Sequence, residues 1–258
     1  AYFSDSSRLM FFDDGSAIGL PYHFNFHSMK APWFSGMTQG VAVSFMIRYY
    51  ELTKNKEALA MAEKMIRLML KQETEGGTLS RTKEQFLWIE EYPNSSSSKS
   101  VLNGFINGLI GLKEYCLYFP GDAAAREIHD SCYVAMVESF QYYDTPEWTS
   151  YNRNGGAITN SYLRYQIAEL DHMYNIYKDE RLRDQMRIWS RHAFDKFDKE
   201  IHFLKFPLYQ YGTKLEWDAQ RKMFYTDRSG AFSKGLIVVK PDMKHSGRSK
   251  LKYLTNAD

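Results

Sequence analysis

Two glutamates and a tyrosine stand in line at Glu90, Glu91 and Tyr92, and Pro93 closes the run. Carboxyl and phenol groups side by side are the materials of proton transfer. A glutamate pushed from ~4.3 toward neutrality by partial burial can serve as an acid, and a tyrosine lowered from ~10 by a neighbouring cation can serve as a base. Proline has no N–H to give a central sheet ladder, so Pro93 marks where an extended segment leaves for a loop. That loop, Asn94 to Ser98, is rich in side-chain oxygens suited to capping the next helix. Past it, Leu102, Phe105, Ile106, Leu109 and Ile110 recur at helical spacing, while Gly104, Gly108 and Gly111 share another stripe. Each glycine costs a helix roughly 1 kcal/mol relative to alanine, so a neighbouring helix backbone or a ligand is expected against that face. A second polar and aromatic connection, Tyr143 to Gly156, carries Tyr151 and Arg153, and its length alone makes it a candidate functional loop.

The elements that must position these residues read as helices in pairs. Met37 to Lys54 sets Met37, Val41, Phe45, Tyr49 and Leu52 on one face, with Val43, Met46, Ile47 and Tyr50 filling much of the remainder; it is expected to be buried on most sides. Lys56 to Lys71 is amphipathic, and Ala58, Ala62, Met65, Ile66, Met69 and Leu70 form its apolar stripe. Gly76 and Gly77 interrupt the pattern before a β-hairpin expected over Thr78 to Ile89. The central helix ends near Phe119, Asp122 caps a helix to Tyr142, and two more helices run over Asn160 to Tyr177 and Asp179 to Phe197. The odd-numbered helices start about every sixty residues, the mark of stacked helical hairpins. The fold class expected is therefore mainly α, an incomplete α/α toroid of helical hairpins. The loops before the odd helices, PWFSGMTQG, WIEEYP and WTSYNRNGG, then converge on one rim.

The chain reads as a single domain: an irregular N-terminal arm (1–36), a helical core (37–200), a β-rich extension (201–240) and a basic tail (241–258) expected to be mobile, with Lys244, Arg248, Lys250 and Lys252. Lysine and arginine exceed aspartate and glutamate only by 33 to 31, which does not fit a nucleic-acid partner recognised by bulk charge. Cys116 and Cys132 cannot build a disulfide framework, and His23, His27 and His245 have no metal-ligand spacing, so no metal site is expected. No apolar run approaches the ~18 residues of a membrane span, and the N-terminus has no signal-peptide pattern. Tyrosine leads an aromatic content of 16%, and aromatic faces suit the C–H faces of pyranose rings.

WIEEYP and SVLNGFINGLIGL, with PWFSGMTQG before them and YDTPEWTSY after, resemble in order the C-terminal domain of D-glucuronyl C5-epimerases, over roughly Pro32 to Phe197. The resemblance implies isomerase activity: interconversion of D-glucuronate and L-iduronate residues in a heparosan-type polysaccharide, by removal and return of the carbon 5 proton. It implies an anionic uronate polysaccharide as partner, no organic cofactor and a helical-toroid domain. Glu91 and Tyr92 match the family's acidic residue and tyrosine, Tyr151 the loop tyrosine, and Tyr162 the tyrosine opening the next helix, with Tyr165 competing for that register. The family's arginine lies three residues after its loop tyrosine; here Arg153 lies two after Tyr151, and Arg164 is the other candidate for the substrate carboxylate. Asn103, Trp33, Gln39 and Trp148 complete the substrate-binding set. Animal enzymes of the family carry upstream domains that line the cleft, so groove residues here could come from the β extension or a second subunit. A polysaccharide lyase working by β-elimination at the same proton and a non-catalytic polysaccharide-binding protein are the rival readings.

Overall fold

The computed structural model describes residues 9–12, 15–196, 215–218, 223–226, 237–241 and 249–253. The protein is mainly α-helical, and its contacts divide it into two compact units, Ala1–Tyr143 with Ser150–Gly156, and Asp144–Thr149 with Ala157–Asp258.

The first unit opens with an antiparallel hairpin, β1 (Met10–Phe12) and β2 (Ala17–Gly19), where an irregular arm was expected. Ala17 is buried with Phe34 and Leu68, and Met10 and Phe12 pack on that cluster. Helix α1 (Gly36–Thr53) packs on α2 (Lys56–Met69) and on α3 (Leu102–Tyr118), which packs in turn on α4 (Ala123–Tyr143). Between α2 and α3 lies the hairpin of β3 (Leu79–Arg81) and β4 (Leu87–Ile89), in register Leu79 with Ile89. Asn55 caps α2 by accepting from the Glu57 N–H at 3.0 Å, and Asp122 caps α4 through the Ala125 N–H, also at 3.0 Å.

The glycine stripe of α3 meets backbone. A methyl at Gly40 of α1 would stand 2.5 Å from the Asn107 carbonyl and the Gly108 Cα, and one at Gly111 would strike Gly40. The two helices touch through their main chains, which side chains would prevent. This contact also turns α1. Gly36, Gln39, Gly40, Val43, Met46 and Ile47 face inward, and the apolar stripe expected inside faces out, with Val41 51% and Leu52 87% exposed. The burial pattern of α1 thus follows its glycines, not its largest side chains. The serine loop differs as well. Ser95 Oγ accepts from the Ser97 and Ser98 N–H groups, so it folds the loop on itself, and α3 starts after Val101 with no side-chain cap.

In the second unit, α5 (Asn160–Tyr177) and α6 (Glu180–Lys196) form a helical hairpin that buries Leu163, Leu170, Met173, Leu182 and Trp189. The Asp144 carboxylate binds His192 Nε2 at 2.9 Å, and buried Thr149 donates to Gln166 at 2.8 Å. Back in the first unit, Ser150–Gly156 carries β5 (Ser150–Asn152) and most of β6 (Gly155–Ala157). Farther along are β7 (Leu215–Asp218), β8 (Met223–Thr226), β9 (Ile237–Pro241) and β10 (Ser249–Tyr253), one antiparallel sheet in the order β10-β9-β8-β7. The remainder of the stretches expected as a β-rich extension and mobile tail, with Lys244, His245 and Arg248, lies outside the described residues.

Candidate active site

Just past the end of β4, Glu90 and Glu91 carry two carboxylates with different surroundings. Glu90 is buried and fully engaged: its carboxylate accepts from Ser80 Oγ and from the Ser100 N–H, both at 2.8 Å, and Lys99 Nζ stands 4.0 Å away. Lys99 is also paired with Glu73, and the Glu90 carbonyl accepts the first N–H of α1, from Gly36. Burial raises the Glu90 carboxyl to about 7, against the opposing pull of Lys99, the Ser100 N–H and Ser80. This residue ties β3, the entrance of α3 and the start of α1 together.

Glu91 is 5% exposed and lies on Gly104, where a methyl would collide with its Cβ and Oε2. The glycine at the head of the stripe therefore makes room for a carboxylate. Glu91 Oε2 is buried with no hydrogen-bond partner, and burial raises this acid while a bond from the Tyr92 phenol acts the other way. Tyr92 Oη lies 3.4 Å from Tyr151 Oη. Both rings are half-buried, and burial lifts both phenols above their ordinary range. The contact with Tyr151 and the neighbouring Glu91 raise Tyr92 further; for Tyr151, the Glu91 charge adds to the rise while the contact with Tyr92 opposes it. Tyr151 arrives here because β5 is bridged to α3 through Asn152 and Val101.

Arg153, a candidate for the substrate carboxylate, is engaged elsewhere. It donates to Glu84 at 2.6 Å and lies over the Tyr142 ring at 3.9 Å. Asn103 stands in the first turn of α3 near the Met37 sulfur. Trp33 is part of an aromatic group with Tyr22, Phe24 and Phe26, its ring 6.1 Å from that of Tyr92. Phe26 is closer to Tyr92, at 5.1 Å, and is the neighbour the sequence reading missed; an aromatic residue in an arm with no periodicity gave no signal. Gln39 has a structural place: it is fully buried, and its amide accepts from the Leu20 N–H and donates to the Leu20 carbonyl.

The other candidates belong to the second unit. Tyr162 and Tyr165 stand one turn apart on α5, ring centres 6.2 Å apart, and the Tyr162 N–H is capped by Thr159. Trp148 donates its indole N–H to the Ile158 carbonyl. Arg164, on the same helix, is 9% exposed. Among the described residues no group of three or more histidines, cysteines or acids is placed to hold a metal ion, and no helix is long and apolar enough to cross a membrane.

The family described as the D-glucuronyl C5-epimerase C-terminus matches residues 13–191, and the chain belongs to that family. It is similar to a D-glucuronyl C5-epimerase of Caenorhabditis elegans, 27% identical over 184 residues, which are 64% of this chain and 29% of the nematode protein. The chain thus spans less than a third of that relative's length.

Proposed function

We propose that the protein is a uronate C5-epimerase acting on a heparosan-type polysaccharide, and that Glu91, Tyr92 and Tyr151 carry the proton transfer. The observation that carries this reading is the meeting of the Tyr92 and Tyr151 phenols beside a buried, incompletely bonded carboxylate. The carbon 5 hydrogen of a uronate lies next to a carboxylate. Its removal as a proton leaves the electron pair on carbon 5, delocalised into that carboxylate. A proton returned to the opposite face completes the inversion, with no change of oxidation state and no co-reactant.

A carboxyl raised by burial accepts a proton more readily than an exposed one, whereas phenols raised by burial stay protonated and are poised to donate. We therefore assign the acceptor to Glu91, working through Tyr92: Tyr92 Oη takes the carbon 5 proton as it passes its own to Glu91. This reverses the expectation of a tyrosine base activated by a cation. Two hydroxyls 3.4 Å apart leave no room for a pyranose between them, so Tyr92 and Tyr151 serve one face of the sugar. Tyr162, the remaining tyrosine that the family resemblance matches, stays a proposed second acid/base group. The toroid belongs to the same proposal, with α1 and α3 in its inner ring; their main-chain contact through glycines supports it.

Incubation with polymer in heavy water tests the reading. Deuterium at carbon 5 of both epimers, with chain length unchanged, is the expected result. Label accompanied by chain shortening and ultraviolet absorbance would identify a lyase. Binding without label would leave a carbohydrate-binding protein.

A further inference from the structure

Helix α4 ends on a tyrosine that the proton-transfer chemistry does not use. Tyr143 is fully buried; its hydroxyl donates to the Ser100 carbonyl at 2.6 Å, and its own carbonyl accepts from the Ser150 hydroxyl at 3.2 Å. Its ring centre lies 6.3 Å from that of Trp88, which stacks at 3.8 Å on Phe105 of α3. One residue thus ties together β4, which leads to Glu91 and Tyr92, the entrance of α3, whose Gly104 lies under Glu91, and β5, which carries Tyr151. Burial raises the Tyr143 phenol well above its ordinary range, so its proton stays on and the hydroxyl is a standing donor.

Ser100 shows what that donor holds. Its φ is +54°, in the left-handed region where a side chain is disfavoured. Such a conformation persists only where its surroundings over-determine it. Here the main chain is pinned on both sides, the Ser100 N–H by the Glu90 carboxylate at 2.8 Å and the carbonyl by Tyr143. Val101, the next residue, is buried and bridged to Asn152, and its carbonyl accepts the Phe105 N–H that opens α3. The direction in which the chain leaves Ser100 therefore sets both the start of α3 and the seat of β5, where Tyr151 precedes Asn152.

We infer that Tyr143 is a positioning residue: by fixing the Ser100 carbonyl, its hydroxyl holds β5 where Tyr151 meets Tyr92. The placing of Tyr151 stands on these contacts alone; its consequence for turnover rests on the proposed function. The two phenol oxygens are 3.4 Å apart, at the outer limit of hydrogen-bond reach, so a small outward movement of β5 parts them. The Glu90 carboxylate holds one side of the Ser100 peptide link and Tyr143 the other, and neither touches the phenol pair itself.

The test is Tyr143→Phe in the full chain, which keeps the ring beside Trp88 and leaves the Ser100 carbonyl without its donor. Two quantities are read: the resonance of the Tyr151 ring carbon Cζ in tyrosine-labelled protein, assigned by its loss in Tyr151→Phe, and the kcat and KM of deuterium exchange at carbon 5 of the polymer. The Cζ resonance is expected to move, and kcat to fall about 10- to 100-fold with KM unchanged. An unmoved Tyr151 resonance would overturn the inference. So would an unchanged kcat per folded molecule in a variant that merely unfolds earlier, or a loss confined to KM. Should Tyr143→Phe not fold, Ser150→Ala, which frees the Tyr143 carbonyl from β5, is read by the same two measurements with the same expected results. A Tyr151 resonance that moves in a protein whose wild type exchanges no deuterium would keep the positioning and sink the epimerase reading.

Discussion

Glu90 and Glu91 are consecutive residues of one strand end, both buried, and they live in opposite chemical worlds. On the Glu90 side each carboxylate oxygen has a donor and a lysine stands nearby. On the Glu91 side one oxygen rests against a glycine without a donor, and the other neighbours are phenols. A carboxylate whose two oxygens are already bonded acts as a brace between elements, whereas an under-bonded one has an oxygen left for a reacting partner. Sequence adjacency says little about role; bonding state says more.

The largest effect that could break this contrast is on turnover. Glu91→Gln keeps the shape and removes the titratable group, so carbon 5 exchange should fall by roughly 10² to 10⁴-fold, the usual contribution of a general acid or base, while the unfolding midpoint changes little. Exchange unaffected in Glu91→Gln would end the assignment of Glu91 as reagent. Glu90→Ala should do the reverse. It strands the Ser100 N–H and Ser80 hydroxyl and loosens Lys99, for a loss of about 2–4 kcal/mol in denaturant unfolding.

The contrast also has a pH signature. The folded Glu90 carboxyl titrates at about 7, above the range of an exposed glutamate, so between those values the folded state binds more protons than the unfolded one. Stability should therefore rise as pH falls from about 8 toward 5, by an amount on the order of 3 kcal/mol if Glu90 dominates. Lys99, Ser80, the Ser100 N–H and Glu73 are the groups that set the balance. Glu91, also raised, contributes in the same direction. Glu90→Gln should flatten the profile, and an equally steep profile in that variant would place the titration elsewhere.

Much of this was legible in the sequence because periodicity reports on helices directly. All six helices, the β3–β4 hairpin and the Asp122 cap fall within a few residues of where spacing put them. The glycine stripe announced a close approach, and Gly108 and Gly111 meet α1 as one of the two expected partners. What spacing could not convey was direction. The stripe of Val41, Phe45, Tyr49 and Leu52 has the same periodicity whether it points in or out, and only the backbone contact at Gly40 decides. The site divides the same way. The types at Glu91, Tyr92 and Tyr151 were readable, but the engagement of Gln39 with Leu20 and of Arg153 with Glu84 depends on chain neighbours far apart in sequence.

The α1–α3 contact and the Gly104 pocket extend the comparison to smaller effects. Gly40→Ala would put a methyl against main-chain atoms of Asn107 and Gly108, which cannot rotate away, and overpacking of this kind costs roughly 1–3 kcal/mol. Gly104→Ala meets the Cβ and Oε2 of Glu91 instead. The Oε2 can move by rotamer but the Cβ cannot, so the main chain of Glu91 must give; overpacking of roughly 1–3 kcal/mol, offset by up to about 1 kcal/mol of helix propensity, is expected. The same shift moves the proposed proton acceptor relative to Tyr92, and a displacement of that size can reduce turnover about 10²-fold. Both variants should be destabilised; the expected difference is that Gly104→Ala exchanges deuterium poorly per folded molecule, whereas Gly40→Ala keeps its exchange per folded molecule. Denaturant titration beside the exchange assay reads both quantities. If Gly104→Ala loses stability and activity in proportion, the pocket beneath Glu91 is only packing, and the distinction between brace and reagent fails at its most sensitive point.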